Sequence, residues 1–355
     1  MAWPKISIIW LNYNSSRILP IVLKSLESII NLNYPSSRFE LIVVDNGSTD
    51  GSFEKIKEFI AREGSIKKKI IRLSKNYGFT GGNNVGFVAR DKESKYVLLV
   101  NNDTILLEDG LKTLAEYAEN YEDIAGVQGI LLRHGTGLID TAGGYLSELL
   151  HTYALGQHRE YPWIIKRPLY ITYVDGSCAF FRVENVLKCF GSKLFIDELF
   201  AYYEDVTLSL MLWNCAYKLI AIPKIIASHV RSLTSGRGKK GSFTAYLFER
   251  NRVALSLITN SRYRPLVPLT ILKDAMISAL RTELRSFAWI KERALFDGIR
   301  LGKRLKSKGI FIDIYRAPLI KISIKDVKNY FSLQRLIMRH FESWAIKNLD
   351  LLTVE

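Results

Sequence analysis

The first hundred residues alternate short, mostly apolar runs with segments of helical periodicity. The apolar runs occupy residues 6–11, 41–44, 69–73 and 96–100. The helical segments occupy about residues 17–30 and 52–63, and a shorter one follows the third run and ends near Arg90. Apolar strands that alternate with helices are typical of a parallel sheet covered on both faces. The pattern therefore predicts an α/β fold.

The pattern changes after residue 125. Apolar segments at 178–181, 218–222 and 224–227 are short, and a predicted helix extends from about residue 203 to residue 214. Beyond about Tyr246 the sequence is helical and basic. We therefore expect the α/β region to be followed by a mostly helical C-terminal region.

Polar residues lie where the predicted strands end. Asp45-Asn46-Gly47 follows the second apolar run, and Asn101-Asn102-Asp103 follows the fourth. The third run leads into a segment rich in glycine and asparagine, Asn76–Asn84. Ligands of open α/β sheets bind at this carboxyl edge. Glycines there would let backbone amides approach a phosphate or a sugar closely, although each glycine alone is also typical of an ordinary turn.

Two acidic segments and one histidine carry candidate chemistry. The carboxylate of Asn101–Asp103 suits a hard divalent cation that takes further oxygens from a diphosphate, but it could instead cap the next helix. Glu204-Asp205, beside Tyr202 and Tyr203, could supply a general base or simply favour a helix dipole. His229 could complete the coordination of a Mn²⁺-type ion or be an ordinary packed histidine.

Charge is distributed unevenly along the 355 residues, whose net charge is +15. Residues 1–229 hold 25 basic and 25 acidic residues, whereas residues 230–355 hold 25 basic and 10 acidic residues. The whole basic excess therefore lies at one end, which suggests a negatively charged partner such as nucleic acid or an anionic membrane face. With 48% hydrophobic residues the chain can build a core, so wholesale disorder is excluded.

Localisation signals are weak. Three cysteines, none in a C-x-x-C pair, cannot form a dense disulfide framework, so a reducing compartment is expected. The N-terminal apolar run is too short for a signal peptide, and no uncharged stretch approaches the roughly 18–20 apolar residues that span a bilayer. We expect a cytoplasmic protein that could attach peripherally to the cytoplasmic face of the cell membrane.

Five segments, taken together and in this order, resemble the family 2 glycosyltransferases with a GT-A fold, particularly the rhamnosyltransferase-like branch. The resemblance covers about residues 5–255 and is weak beyond them. The five segments are Ile8–Asn14, Val43–Gly51, Asn76–Gly86, Leu98–Thr104, and Asp197–Asp205 with His229 downstream.

The resemblance implies a role for each motif. Asp45 stands where the family reads the nucleotide base, and Asp103 stands at the end of its D-x-D metal motif. Asp205, preceded by Glu204, matches the catalytic base, and His229 matches a further metal ligand. The implied nucleotide-sugar site comprises Asn12, Tyr13, Asn14, Asp45, Asn46, Gly47, Asn76, Gly78, Phe79, Gly82, Asn84, Asn101 and Asn102.

The implied reaction is an inverting transfer of a sugar from a nucleoside diphosphate to a hydroxyl, assisted by Mn²⁺ or Mg²⁺. The implied acceptor is a saccharide or a lipid-linked saccharide in cell-surface polysaccharide or glycan assembly. Two positions depart from the family: Asn101 replaces the first acid of the metal motif, and Thr207 replaces an acid after Glu204-Asp205.

We expect two parts, a GT-A domain at 1–255 and a basic, mostly helical region at 256–355. Aliphatic stretches, Trp289 and Phe296 mix with Arg and Lys in the second part, which suits helices on an anionic leaflet or, equally, a solvated basic face. An amphipathic segment from Phe331 to Leu349 could pack on a partner and form a homo-oligomer.

Three other functions compete with sugar transfer. A nucleotidyltransferase would use a similar sheet and metal, but it would normally carry a basic glycine-rich segment where Asn12-Tyr13-Asn14 stands. A nucleic-acid-binding protein would use the basic end, yet no nucleic-acid-binding module is recognisable and we expect no nucleic-acid partner. A catalytically weak sugar-binding or nucleic-acid-binding relative is the third alternative, because Asn101 and Thr207 replace acidic residues of the family pattern.

Overall fold

The computed structural model describes residues 3–62, 64, 66–231, 239–280, 285–332 and 334–354. Its strands are β1 (Ile6–Asn12), β2 (Phe39–Asp45), β3 (Lys67–Arg72), β4 (Tyr96–Asn101), β5 (Thr104–Leu106), β6 (Ile124–Arg133), β7 (Ile139–Thr141), β8 (Gly144–Ser147), β9 (Thr152–Ala154), β10 (Leu169–Tyr170), β11 (Cys178–Arg182), β12 (Lys218–His229) and β13 (Leu319–Ile320). Its helices are α1 (Leu19–Ile30), α2 (Ser52–Ala61), α3 (Gly78–Ala89), α4 (Gly110–Glu119), α5 (Val183–Phe190), α6 (Glu204–Asn214), α7 (Lys239–Ile258), α8 (Leu266–Leu280), α9 (Arg285–Ser307), α10 (Ile324–Ser332), α11 (Gln334–Lys347) and α12 (Leu349–Leu352).

A large mixed sheet organises the chain, with strand order β10-β12-β6-β11-β4-β1-β2-β3. Strands β3, β2, β1 and β4 are parallel, as the apolar runs predict. Strand β11 then runs antiparallel to both β4 and β6, and β12 is parallel to β6. The register pairs Asn12 with Asp45 and Leu11 with Asn101, so the polar ends of β1, β2 and β4 meet at one edge.

The apolar runs are continuous because the central strands are buried on both faces. Ile8 and Trp10 of β1 join a cluster that includes Val22 of α1 and Leu114 of α4. Ile9, which points the opposite way, joins a cluster that includes Phe87 of α3. Helices therefore cover both sides of the sheet, and the predicted α/β architecture is confirmed.

Strand β12 differs from the expectation of two short strands. It is one strand of 12 residues, with irregular register against β6 between Ala221 and Ile225. Pro223 lies in that interval and has no backbone N–H to give to the ladder, which accounts for the apparent break in the sequence. The continuous strand carries His229 to the edge of the sheet where β4 ends.

The C-terminal region is helical, as predicted, and it shares the core of the α/β region. Leu305 and Phe341 belong to the same buried cluster as Ile9. Strand β13 pairs with β8, and Thr353 bridges to Leu169. The expected boundary at residue 255 falls inside α7, and the division into 1–255 and 256–355 stays a prediction.

The structure also bears on membrane spanning, on the cysteines and on the proposed oligomerisation segment. Among the described residues, no helix is both long enough and apolar enough to cross a membrane. A disulfide joins Cys189 at the end of α5 to Cys215 after α6, a pairing that the sequence analysis did not predict. The side chains of residues 331–339, half of the proposed oligomerisation segment, lie outside the described residues.

Candidate active site

One buried amide joins three of the sequence motifs. Asn12, at the end of β1, donates from Nδ2 to Oδ1 of Asp45 over 2.9 Å. Its Oδ1 accepts from Nδ2 of Asn102 at 3.0 Å. The parallel register of β2, β1 and β4 places these three side chains side by side, as the strand-end pattern predicts.

Asp45, which the resemblance assigns to recognition of the nucleotide base, is fully buried. Its Oδ2 accepts from the backbone N–H of Ser48 at 3.0 Å and lies 3.8 Å from Nε of Arg72. Arg72 is held over the ring of Phe53 and also donates to the carbonyl of Ser48. This arginine, at the end of β3, is a cation beside the site that the sequence analysis missed.

Tyr13 and Asn14 form the rim of this region. The Tyr13 ring is exposed, whereas Asn14 has a positive φ of 45° and accepts from the backbone N–H of Thr49. The β1–α1 loop is therefore tied to the loop after β2, and it leaves one aromatic side chain free to meet a ligand.

Asn46 and two glycines shape the loop before α3. Nδ2 of Asn46 donates to Oδ1 of Asn76 and to the carbonyl of Gly78. Gly47 and Gly78 have φ of +75° and +78°, and a Cβ on either would lie within 2.6 Å of a neighbouring backbone. Glycine is thus required at both positions by backbone conformation and close approach.

The remaining predicted residues of α3 face protein groups. A Cβ on Gly82 would lie 2.4 Å from the side chain of Leu11, so this glycine brings α3 close to β1. Phe79 packs beside the ring of Phe195. The Asn84 amide accepts twice and donates twice to the 194–197 segment, which is its full hydrogen-bonding capacity.

The predicted metal ligands lie together. Strand β5 pairs with the end of β12, and this brings Nε2 of His229 to 3.1 Å from Oδ1 of Asp103. The other ring nitrogen, Nδ1, lies 2.9 Å from Oδ2 of Asp140. Burial lowers the pKa of His229, but hydrogen bonds to Asp103 and Asp140 outweigh it and raise that pKa to about 9.

Asp140 is a site residue that the sequence analysis missed. It lies in β7, is almost completely buried, and also approaches Nη1 of Arg231 at 3.3 Å. A single aspartate between Ile139 and Thr141 belongs to no recognisable motif. Only the pairing of β7 with β6, and of β6 with β12, brings it to His229.

The donor set fits a divalent cation that is shared with a substrate. No group of three or more His, Cys, Asp or Glu side chains that could hold a metal occurs within the described ranges. Asp103 and His229 supply one oxygen and one nitrogen donor, and a diphosphate and water could complete the coordination. Asp140 fixes the Nδ1 side of the imidazole, which leaves Nε2 as the nitrogen available to a metal.

Glu204 and Asp205 begin α6, directly after a strained loop. Phe200, Tyr202 and Tyr203 all have positive φ, between 64° and 69°. Such backbone conformations are costly for non-glycine residues and persist only when the surroundings enforce them. Thr207 donates to the carbonyl of Tyr203 one turn earlier, so the residue that departs from the family pattern secures the start of its own helix.

Helix α7 enforces this loop conformation. Nδ2 of the fully buried Asn251 lies within 2.9 Å of the carbonyl oxygens of Leu199, Ala201 and Tyr202. The neighbouring Arg250 donates to the carbonyls of Glu198 and Leu199. These two side chains, which the sequence analysis did not single out, hold the segment that positions Glu204 and Asp205.

The surroundings of Asp205 raise the pKa of its carboxyl towards neutrality. Burial and the negative charge of Asp175 raise the pKa of Asp205 to about 7. Hydrogen bonds from the backbone N–H groups of Gly176 and Val206 lower this pKa, but they do not outweigh the other two effects. Burial and the charge of Asp205 raise the pKa of Glu204 well above its usual range. Oε2 of Glu204 is buried and has no hydrogen-bond partner among the described residues, which favours the neutral acid.

A three-residue turn connects Asp205 to the metal motif. The backbone N–H of Gly176 donates to Oδ2 of Asp205 at 3.1 Å. The carbonyl of the next residue, Ser177, accepts from the backbone N–H of Asn101 at 3.0 Å and from the Thr104 hydroxyl. Residues 175–177 therefore place the candidate base beside the strand end that carries Asp103.

Comparisons with solved structures agree with this architecture. A mannosyltransferase from Pyrobaculum calidifontis, solved with GDP-Man and Mn²⁺, superposes with a TM-score of 0.54 at 13% identity, covering 98% of this chain and 88% of that one. GalNAc-T7, solved with UDP, GalNAc and Mn²⁺, gives a TM-score of 0.58 at 13% identity, covering 87% and 58%. These similarities confirm the GT-A fold.

A curated relative also matches in sequence. Poly(ribitol-phosphate) beta-N-acetylglucosaminyltransferase TarS of Staphylococcus aureus (strain Mu50 / ATCC 700699) is 29% identical over 122 residues. The match covers 34% of this chain and spans only 20% of the length of that relative.

The family-level comparison is the most extensive in sequence. The model of Glycosyl transferase family 2 matches residues 7–185, which is half of the chain and includes the strand ends that carry Asn12, Asp45 and Asp103. The resemblance seen in the motifs is thus confirmed at the level of the family: this chain belongs to glycosyl transferase family 2.

Proposed function

We propose that this protein is a metal-dependent, inverting glycosyltransferase that moves a sugar from a nucleoside diphosphate to a hydroxyl of a saccharide or lipid-linked acceptor. The observation that carries the proposal is the 175–177 turn, which hydrogen-bonds both Asp205 and the end of β4. The turn thus links the candidate base to the segment that contains Asp103, and a base and a cation-binding carboxylate are the two groups that such a transfer needs.

The donor would lie along the carboxyl edge of β1, β2 and β4. Asp45, held by Asn12 and flanked by Arg72, would meet the nucleoside end. The exposed ring of Tyr13 would cover it. The relatives solved with GDP-Man or with UDP bind their nucleotides on the same fold, which supports a nucleotide-sugar donor here.

Asp103 and His229 would hold Mn²⁺ or Mg²⁺. When bound, the cation would neutralise charge that develops on the departing diphosphate. The Mn²⁺ named for both solved relatives supports this cofactor, and the nitrogen ligand from His229 suits Mn²⁺ better than Mg²⁺.

Asp205 would act as the base. The acceptor oxygen forms a bond to the anomeric carbon while the bond from that carbon to the diphosphate oxygen breaks, and the acceptor proton passes to Asp205. Attack from the face opposite the leaving group inverts the anomeric configuration. Glu204, kept neutral by burial, would leave a single titrating carboxylate at the start of α6.

Several finer expectations belong to this proposal. The donor sugar would be of the type used by the rhamnosyltransferase-like branch. Residues 1–255 would form the GT-A domain, and residues 256–355 would form a basic, mostly helical region. The protein would work in the cytoplasm, on the cytoplasmic face of the membrane, in the assembly of a surface polysaccharide or another glycan.

A binding screen tests the proposal. The full chain is mixed with a panel of nucleoside diphosphates and their sugars, each with Mn²⁺, Mg²⁺ or chelator, and thermal stabilisation is recorded. We expect a subset of nucleotides to stabilise the protein in Mn²⁺ and the effect to vanish in Asp103→Asn. The absence of stabilisation by any nucleotide with metal would contradict the proposed donor site.

A further inference from the structure

One face of α8 is apolar and exposed along its whole length. Leu269, Leu272, Met276 and Leu280 recur every three or four residues and form a single stripe. Met276 is 68% exposed and Leu280 is 85% exposed. No other described part of the chain covers this stripe, which we call the α8 stripe.

The opposite face of α8 is well packed, so the exposure of the α8 stripe does not reflect a loosely held helix. Ile271 is buried in a cluster with Val253 of α7 and Leu295 of α9. Val267 and Thr270 are also buried, and the Thr270 hydroxyl accepts from Nη2 of Arg252. The helix is thus fixed in an orientation that turns its leucines and methionine outward.

Helix α9 packs beside α8 and adds aromatic and basic residues to the surface. Trp289, Arg293, Phe296 and Arg300 follow one another at helical spacing on its exposed side. Trp289 is 77% exposed and Phe296 is 56% exposed. The two arginines approach Asp297 at 3.5 Å, but their highly exposed side chains make these ion pairs weak.

We infer that the α8 stripe and the exposed side of α9 together form a docking surface for a bilayer rich in anionic lipids. Aliphatic residues, a tryptophan and interspersed arginines are the combination that partitions into the headgroup region of a membrane. Residues 266–307 hold nine Lys or Arg against four Asp or Glu, so their charge complements an anionic leaflet.

The docking surface is directly connected to the catalytic loop. Gly298 of α9 lies against the backbone carbonyl of Arg250, where a Cβ would come within 2.5 Å. Arg250 and Asn251 in turn hold the carbonyls of the 198–202 segment that leads into Glu204. A membrane beneath α8 and α9 would therefore sit at a fixed distance from Asp205, as a lipid-linked acceptor requires; this last step rests on the proposed function.

Vesicle flotation of the full chain tests the surface without substrates. We expect the protein to float with vesicles of phosphatidylcholine and phosphatidylglycerol, to stay in solution with phosphatidylcholine alone, and to dissociate as salt is raised. The triple variant Met276→Ser/Leu280→Ser/Trp289→Ser should lose at least about tenfold in vesicle affinity because it removes the apolar anchor. Leu351→Ser, at a leucine that is 81% exposed on α12, is the matched control and should bind like the unmodified chain.

Each other outcome overturns the inference. Equal binding to both vesicle types, no binding to either, or undiminished binding of the triple variant would exclude an anionic bilayer as the partner. If light scattering shows that the unmodified chain is a dimer and the triple variant a monomer, the surface is an interface between copies of this chain.

Nucleotide stabilisation, which needs no membrane, distinguishes a failure of this inference from a failure of the proposed transfer. Melting temperatures of the variants, which replace only exposed side chains, verify that each is folded.

Discussion

Oδ2 of Asp140 lies 2.9 Å from Nδ1 of His229, on the far side of the imidazole from Asp103. The three side chains come from β7, the end of β12 and the turn after β4, and Asp140 and Asp103 are buried with the ring between them. This arrangement fixes the ring orientation and directs Nε2 towards Asp103. A carboxylate that orients a histidine in this way typically raises the basicity of the imidazole and so strengthens its binding to a metal.

Replacing Asp140 should therefore weaken metal binding although Asp140 itself is no ligand. We expect Asp140→Ala to lower Mn²⁺ affinity by about 10- to 100-fold, measured by calorimetry in the presence of a nucleoside diphosphate. Glu184→Gln, at an exposed carboxylate on α5, is the control and should leave the affinity unchanged. Equal Mn²⁺ affinity in Asp140→Ala and the unmodified protein would mean that Asp140 has only a packing role.

Asp175 should contribute, together with burial, to the pH at which Asp205 loses its proton. The pKa of Asp205 is raised to about 7 by burial and by the charge of Asp175, so the deprotonated base accumulates only as pH rises through about 7. The pH profile of kcat/KM should accordingly rise through that value and then level off. Asp175→Asn removes the charge and should shift the rise to lower pH by a fraction of a unit or more. An unmoved profile would show that Asp175 does not influence the base.

Asn251 should act on transfer without touching the donor. Asn251→Asp keeps the shape of the side chain but removes the donor that meets the carbonyls of the 199–202 loop. Leaving these buried carbonyls unpaired costs about 1–3 kcal/mol of stability and should let the loop relax. We expect kcat to fall at least about tenfold while nucleotide binding, measured by calorimetry, is retained.

The matched control for Asn251 is Asn348→Asp. Asn348 also donates to a backbone carbonyl, that of Trp344, but it lies near the C-terminus and far in sequence from the 199–202 loop. It should lose stability without a selective loss of kcat. A parallel loss of nucleotide binding and kcat in Asn251→Asp would argue for general unfolding instead of loop positioning.

Alanine substitutions at Gly78 and Gly51 distinguish the cost of a positive φ from the cost of a close contact. Both have φ near +80°, but a Cβ on Gly51 meets no atom within 4 Å, whereas one on Gly78 would lie 2.4 Å from the carbonyl oxygen of Phe200. Gly51→Ala should cost about 1 kcal/mol of unfolding free energy. Gly78→Ala should cost about 1–3 kcal/mol more and reduce transfer, since it displaces the loop before Glu204. Equal losses in urea unfolding would contradict the close contact.

Some of this molecule can be predicted from its sequence, because the signals are local. The apolar runs of β1, β2 and β4 are continuous since both faces of these strands are buried, and the polar residues at their ends follow from where the strands stop. His229 was also predictable as a partner of Asp103, through a resemblance of whole motifs, although one extended strand carries it where two were expected.

The remainder depends on contacts between distant segments. Asp140 is 89 residues from His229, and Asn251 is 49 residues from Tyr202, so no local pattern marks either of them. Asn84 is the opposite case, since it lies in a motif that predicts nucleotide binding but does not face a ligand. Its side-chain amide makes all of its hydrogen bonds with the 194–197 segment. A motif identifies a loop, but the packing decides which side chains of that loop face a ligand.

The proposed metal-assisted transfer depends on Asp205, which would remove the acceptor proton. The most direct measurement is the rate of nucleoside diphosphate release from a donor identified by the stability screen, with acceptor and Mn²⁺, in the unmodified chain and in Asp205→Asn. We predict a loss of about 100-fold or more in kcat for Asp205→Asn, with nucleotide affinity unchanged. Full transfer activity in Asp205→Asn would exclude Asp205 as the base.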